Sequence, residues 1–229
     1  MVIKIYADGA SLPHMRVLQQ DPMISGFTTN PTLMRKSGVT DYELWAKSVV
    51  AEIVRPISFE VISDDFIEME MQAHRIASWG ENVYVKIPIM NTKGESSIPL
   101  IQKLACAGIK LNVTAVFTEK QVMSALVELT GPTPAILSIF AGRIADTGVD
   151  PMEICERAAF LCPPNVEILW ASTRELLNIK EAEDCGCDIV TVPNDMLAKL
   201  HLFGKDLHEY SRETVAMFYN DAVASGFSL

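Results

Sequence analysis

The chain has 229 residues, 49% hydrophobic and 21% charged, a balance that supplies one large core and excludes disorder as its default state. Its formal net charge of −10 denies it the global basic footprint that a phosphate backbone requires, so nucleic acid is not an expected partner. No run reaches the ~20 apolar residues needed to span a bilayer, so no membrane is expected either.

In chain order, short runs rich in β-branched residues recur at 3–7, 26–29, 57–62, 83–87, 110–115, 135–140, 166–171 and 188–192, separated by stretches of helical periodicity. The first run meets a charge too early for a secretory leader, and the cytoplasm is the expected compartment. Several helices carry visible start signals: Asp41 before 42–54, Asp64 before 65–79, Thr118 before 119–129 and Asp150 before 151–161. Strand and helix in strict alternation predict a parallel α/β fold. Eight such strands predict closure into one (β/α)8 TIM barrel, a single domain over residues 1–229. Residues 205–229 form its tail, and 205–223 read as an extra amphipathic C-terminal helix that covers a barrel end or reaches a neighbouring subunit. The rival is an open doubly wound sheet, but the first turn reads Asp8-Gly9-Ala10-Ser11 and carries no glycine-rich phosphate loop.

Barrels of this kind place their chemistry where the strands end. Here those positions offer Asp8, Asn30, Glu60, Lys86, Asn112 with Thr114, Ser138, and Ser172 with Arg174, whereas the eighth strand ends quietly at Val192-Pro193. Lys86 is the residue that most needs explaining, because it interrupts the apolar run Val83-Tyr84-Val85-Lys86-Ile87-Pro88. Burial disfavours an ammonium, and a neutral amine attacks ketones; the plainer reading is a lysine that snorkels out of a strand end. The histidines, His14, His74, His201 and His208, fall on helices or loops, which argues against a histidine base or a three-histidine zinc site. The five cysteines, Cys106, Cys155, Cys162, Cys185 and Cys187, lack zinc-ribbon spacing and read as reduced thiols with no metal. Single prospective roles have ordinary alternatives: Asp8 or Asn30 as a cap, Arg143 in an ion pair with Asp146.

Taken together, Thr28-Thr29-Asn30-Pro31-Thr32, Val85-Lys86-Ile87-Pro88, Asn112-Val113-Thr114, Ser138-Ile139-Phe140-Ala141-Gly142-Arg143 and Ala171-Ser172-Thr173-Arg174 resemble the transaldolase family. The chain's length is similar to that of the small-subunit branch, which also contains fructose 6-phosphate aldolases. Glu60 and Phe140 match the transaldolase members, since the aldolases typically carry glutamine and tyrosine there. Ile139 and Thr173 depart from the family's usual proline and phenylalanine, Gly9-Ala10 from its Ser/Thr-led turn, and the loop after Pro88 is about one residue longer. The resemblance implies a cofactor-free enzyme of the pentose phosphate pathway that moves a dihydroxyacetone unit. The donor would be sedoheptulose 7-phosphate or fructose 6-phosphate, and the acceptor glyceraldehyde 3-phosphate or erythrose 4-phosphate. It implies Lys86 as the Schiff-base lysine, with Asp8 and Glu60 as proton carriers and Thr114 holding a water. Asn30 and Asn112 would bind the dihydroxyacetone hydroxyls, Ser138 and Ser172 would add donors, Arg143 and Arg174 would grip phosphate, and Phe140 would exclude water. It also implies a homo-oligomer, a decamer formed by exchange of C-terminal helices. A fructose 6-phosphate lyase and a non-catalytic sugar-phosphate-binding barrel remain the alternatives.

Overall fold

Closure of the sheet follows from eight parallel strands, each pairing with its sequence neighbours and the last with the first. The computed structural model describes residues 3–227; the ends of the expected domain and tail, residues 1–2 and 228–229, lie outside them. The strands are β1 (Lys4–Asp8), β2 (Ile24–Thr28), β3 (Ile57–Glu60), β4 (Val83–Pro88), β5 (Leu111–Val116), β6 (Ala135–Ile139), β7 (Val166–Trp170) and β8 (Ile189–Pro193). Every expected run therefore holds a strand, shifted by one to two residues at most of its ends. The architecture is the expected (β/α)8 TIM barrel.

Helices follow the strands on the outside. They are α1 (Leu12–Leu18), α2 (Pro31–Lys36), α3 (Tyr42–Val50), α4 (Phe66–Ala77), α5 (Ile98–Cys106), α6 (Glu119–Glu128), α7 (Ala141–Ala145), α8 (Met152–Leu161), α9 (Leu177–Asp184), α10 (Asn194–Leu197) and α11 (Leu207–Ala224). Caps explain several starts: Asp41 accepts from the Leu44 amide, and Thr118 with Gln121 forms a reciprocal capping box. The cap of α4 is Asp65, which accepts from the Ile67 and Glu68 amides, and not the expected Asp64. Asp64 is engaged instead by the backbone amide and hydroxyl of Thr92, both at 2.7 Å. Asp150 accepts from the Met152 amide, one residue ahead of the helix it was expected to cap directly. Among the described residues no helix is long and apolar enough to cross a membrane.

Two cores result. The larger lies between the strands and the helices and contains Phe27, Phe59, Ile87, Ile101, Leu111 and Trp170. The smaller fills the barrel interior with Tyr6, Tyr84, Ile136, Leu169, Ala171 and Ile189. Gly26 makes that floor possible, because a Cβ there would stand 2.6 Å from the Tyr6 ring. Successive strand residues point to opposite faces, so residues two places beyond this floor also point inward: Asp8 above Tyr6, Lys86 above Tyr84, Ser138 above Ile136 and Thr191 above Ile189. An apolar floor under a polar layer, one step nearer the strands' C-terminal ends, is the direct product of period two.

Candidate active site

Register gathers the polar layer. Glu60 pairs with Lys86 across β3 and β4, and Lys86 with Asn112 across β4 and β5, while Asp8 pairs with Thr28 across β1 and β2. The Lys86 side chain is 9% exposed, and its Nζ lies 3.5 Å from a Glu60 carboxylate oxygen. The same Nζ donates a 2.9 Å hydrogen bond to the carbonyl oxygen of Thr29. Lys86 does not snorkel; it ends inside the barrel between an acid and a backbone carbonyl.

Asp8 accepts a 2.8 Å hydrogen bond from the Thr28 hydroxyl. Burial raises its pKa above the ordinary carboxylate range, opposed by the charge of Lys86 and by the Thr28 hydrogen bond. The eighth strand is not silent, contrary to expectation, for the Thr191 hydroxyl is hydrogen-bonded to that of Thr28. Thr28 and Thr191 thus form a hydroxyl chain ending on Asp8. They were missed because a strand threonine is ordinarily read as a β-former.

Asn112 is fully buried, donating to the Ser58 hydroxyl at 3.0 Å and accepting from the Ser138 hydroxyl at 2.7 Å. Ser138, expected to add a donor, gives its hydroxyl hydrogen to Asn112, and Ser58 is a further residue overlooked in the sequence. Asn30 caps α2 through its side-chain oxygen, which accepts from the Leu33 amide at 3.0 Å; its amide hydrogens remain as donors. Thr114 presents a buried hydroxyl oxygen with no hydrogen-bond partner, an unsatisfied group of the kind that a bound molecule completes.

The arginines stand at the rim. A Cβ on Gly142 would meet the Ser172 carbonyl oxygen at 1.6 Å, so only glycine lets the segment after β6 pack backbone to backbone against the segment after β7. Ser172 is held at φ 67°, and Ala115, beside Thr114, at φ 57°, left-handed conformations that non-glycine residues adopt at a cost. Arg174 donates to Asp146 through Nε at 3.1 Å and holds that carboxyl below its ordinary range, with Arg143 adding to the effect. The ion pair expected as the ordinary role of Arg143 thus belongs to Arg174. Arg143 lies over the Phe140 ring, 5.1 Å from its centroid, and Phe140 packs against Phe117 with centroids 5.5 Å apart. The result is a dry amine with two acids in unlike surroundings, amide and hydroxyl groups beside it, and guanidinium groups at the opening.

A model of the family described as "Transaldolase/Fructose-6-phosphate aldolase" matches residues 5–229. This chain belongs to that family. It is 32% identical over 222 residues to a "Probable transaldolase" of Bdellovibrio bacteriovorus, an alignment covering 96% of this chain and 97% of the relative. It is also 32% identical over 201 residues to a "Probable transaldolase 2" of Listeria monocytogenes, covering 86% and 88% of the two chains. A crystal structure described as a "putative phosphonomutase" from Burkholderia cenocepacia superposes with a TM-score of 0.56 at 10% identity, over 96% of this chain and 94% of that one. That last likeness is one of fold alone.

Proposed function

We propose that the chain is a transaldolase, a Schiff-base enzyme that transfers a dihydroxyacetone unit from a ketose phosphate to an aldose phosphate. The observation that carries this reading is the 9% exposed Lys86 amine held 3.5 Å from Glu60 in the same inward-facing layer as Asp8. In its neutral form Lys86 attacks the C2 carbonyl of sedoheptulose 7-phosphate or fructose 6-phosphate and, with loss of water, becomes an iminium. Glu60 gives and takes the protons of that dehydration, and the unpartnered Thr114 hydroxyl holds the water that carries them. The iminium accepts the electron pair of the C3–C4 bond as it breaks, while Asp8 removes the C4 hydroxyl proton. Burial favours the protonated form of Asp8, which strengthens it as a base toward an alcohol.

Asn30 and Asn112 orient the hydroxyls of the three-carbon unit, and Ser172 adds a donor. Arg143 and Arg174 bind the phosphate, whose oxygens replace Asp146 on the Arg174 fork. Phe140, packed on Phe117, limits water at the enamine, so that glyceraldehyde 3-phosphate or erythrose 4-phosphate collects the unit before a proton does. Such a reaction belongs to the pentose phosphate pathway in the cytoplasm. The assembly we propose with it is a homo-oligomer, a ring of ten joined by exchanged tails; what supports association is that α11 leaves no residue of its own buried.

Borohydride reduction in the presence of fructose 6-phosphate should attach the sugar fragment to Lys86, read by peptide mass spectrometry. An unmodified Lys86 leaves only a sugar-phosphate-binding barrel. With fructose 6-phosphate and no acceptor, rapid release of free dihydroxyacetone would identify a lyase of the aldolase branch.

A further inference from the structure

The barrel also brings together three cysteines that are far apart in sequence. Cys155 lies on α8, Cys185 just past the end of α9, and Cys187 just ahead of β8, so the last sits at the strand end opposite the polar mouth. All three are buried, at 0%, 3% and 6% exposure, and their sulfur atoms lie within 4.8 Å of one another. The Cys185 and Cys187 sulfurs are 3.7 Å apart. The turn that produces this is Gly186, at φ 80°, with Ala159 of α8 in contact distance of where a Cβ would stand. Spacing alone hid the group, since Cys155 is separated from the Cys-Gly-Cys turn by the whole of β7 and α9.

We propose that Cys155, Cys185 and Cys187 form a binding site for a soft trivalent metalloid, of which arsenite is the probe. Three sulfurs about 2.3 Å from one pyramidal centre stand roughly 3.5 Å apart, close to the 3.7 Å of the Cys185–Cys187 pair. Thiolates select soft ions. Coordination number and charge then choose among them. No fourth histidine, cysteine or carboxylate joins the group among the described residues, whereas a structural zinc ion takes four ligands. Zinc with three thiolates would carry one negative charge and cuprous copper two, in an apolar layer. Three thiolates on trivalent arsenic are neutral, the state that burial tolerates.

The exchange balances without an oxidant. Arsenous acid loses its three hydroxyl groups, three arsenic–sulfur bonds form, and each departing hydroxyl leaves as water with a thiol proton.

The test is native mass spectrometry of the full chain with arsenite. The expected product is one arsenic gained for three protons lost. X-ray absorption of the unmutated complex should show three sulfur neighbours and no oxygen on arsenic, a readout that needs no variant to fold. Cys155→Ser and Cys187→Ser should each weaken binding by at least about tenfold, while Cys106→Ser, on the outside, leaves it unchanged. Bound arsenite should raise the melting temperature of the parent but not of the first two variants. Arsenic retained for only two protons, oxygen remaining on arsenic, or arsenite affinity untouched by Cys155→Ser would overturn the proposal. So would one zinc or cuprous ion per chain that arsenite cannot displace.

Discussion

The mouth of the barrel and the C-terminal helix invert each other's chemistry. At the mouth, polar groups are buried: Lys86, Asn112, Thr114, Ser138 and Thr191 are each at most 7% exposed, with Ser138 bonded to Asn112, Thr191 to Thr28 and Thr114 to nothing. On α11 apolar groups are left in the open, with Leu207 at 79%, Phe218 at 62% and Tyr219 at 70% exposure, and no residue of that helix is buried. Buried polar groups lower stability unless every hydrogen bond is made, and exposed apolar faces invite association. Neither region serves the stability of the isolated chain. The proposed function would place a small molecule at the first and a second copy of the chain against the second.

The largest effect expected is at Lys86. Lys86→Ala should reduce turnover by about 10⁴-fold or more and abolish borohydride trapping, while circular dichroism keeps the barrel signature. Trapping that survives in this variant would move the chemistry off the mouth altogether. Next is Asp8→Asn, which should slow carbon–carbon cleavage by about 10² to 10³-fold and yet stabilise the fold at neutral pH. The sign follows from the raised pKa of Asp8 in the folded chain: the fold binds this proton more tightly than the unfolded chain does. The contribution is therefore fully present at pH below the unfolded carboxylate value and is lost as pH rises through the folded value. Melting curves should show the variant gaining on the parent as pH rises from acid to neutral; a constant gap would mean that Asp8 is not held in dry surroundings.

Thr114→Val comes third. Removing a buried hydroxyl that has no partner should leave stability unchanged or raise it by about 1 kcal/mol, while turnover falls by about tenfold through slower imine formation. A stability loss of about 2 kcal/mol by chemical denaturation would show the hydroxyl to be structural instead. The smallest effect on the chain itself belongs to α11. Val215→Asp with Phe218→Asp should change the intrinsic stability of the barrel by about 0.5 kcal/mol or less, because neither side chain is buried. The same pair should lower the mass seen by light scattering if α11 joins subunits, and an unchanged mass would end the contrast between the two regions.

Amino-acid order determined the alternation of strands and helices, and with it the barrel, because period-two and helical patterns are local. It also determined that a lysine must lie in an apolar strand, for Tyr84 and Lys86 share a face whatever the neighbours are. Tertiary structure alone decided what that lysine meets. Glu60 reaches it through β3–β4 register, Thr28 and Thr191 reach Asp8 through the closure of β1 against both β2 and β8, and Ser58 holds Asn112 from two strands away. The pairing of Arg174 rather than Arg143 with Asp146 and the convergence of Cys155 on Cys185 and Cys187 are likewise contacts between distant segments. Such contacts depend on register and helix packing, which join residues by their positions in space, and a pattern read along one chain does not contain those positions.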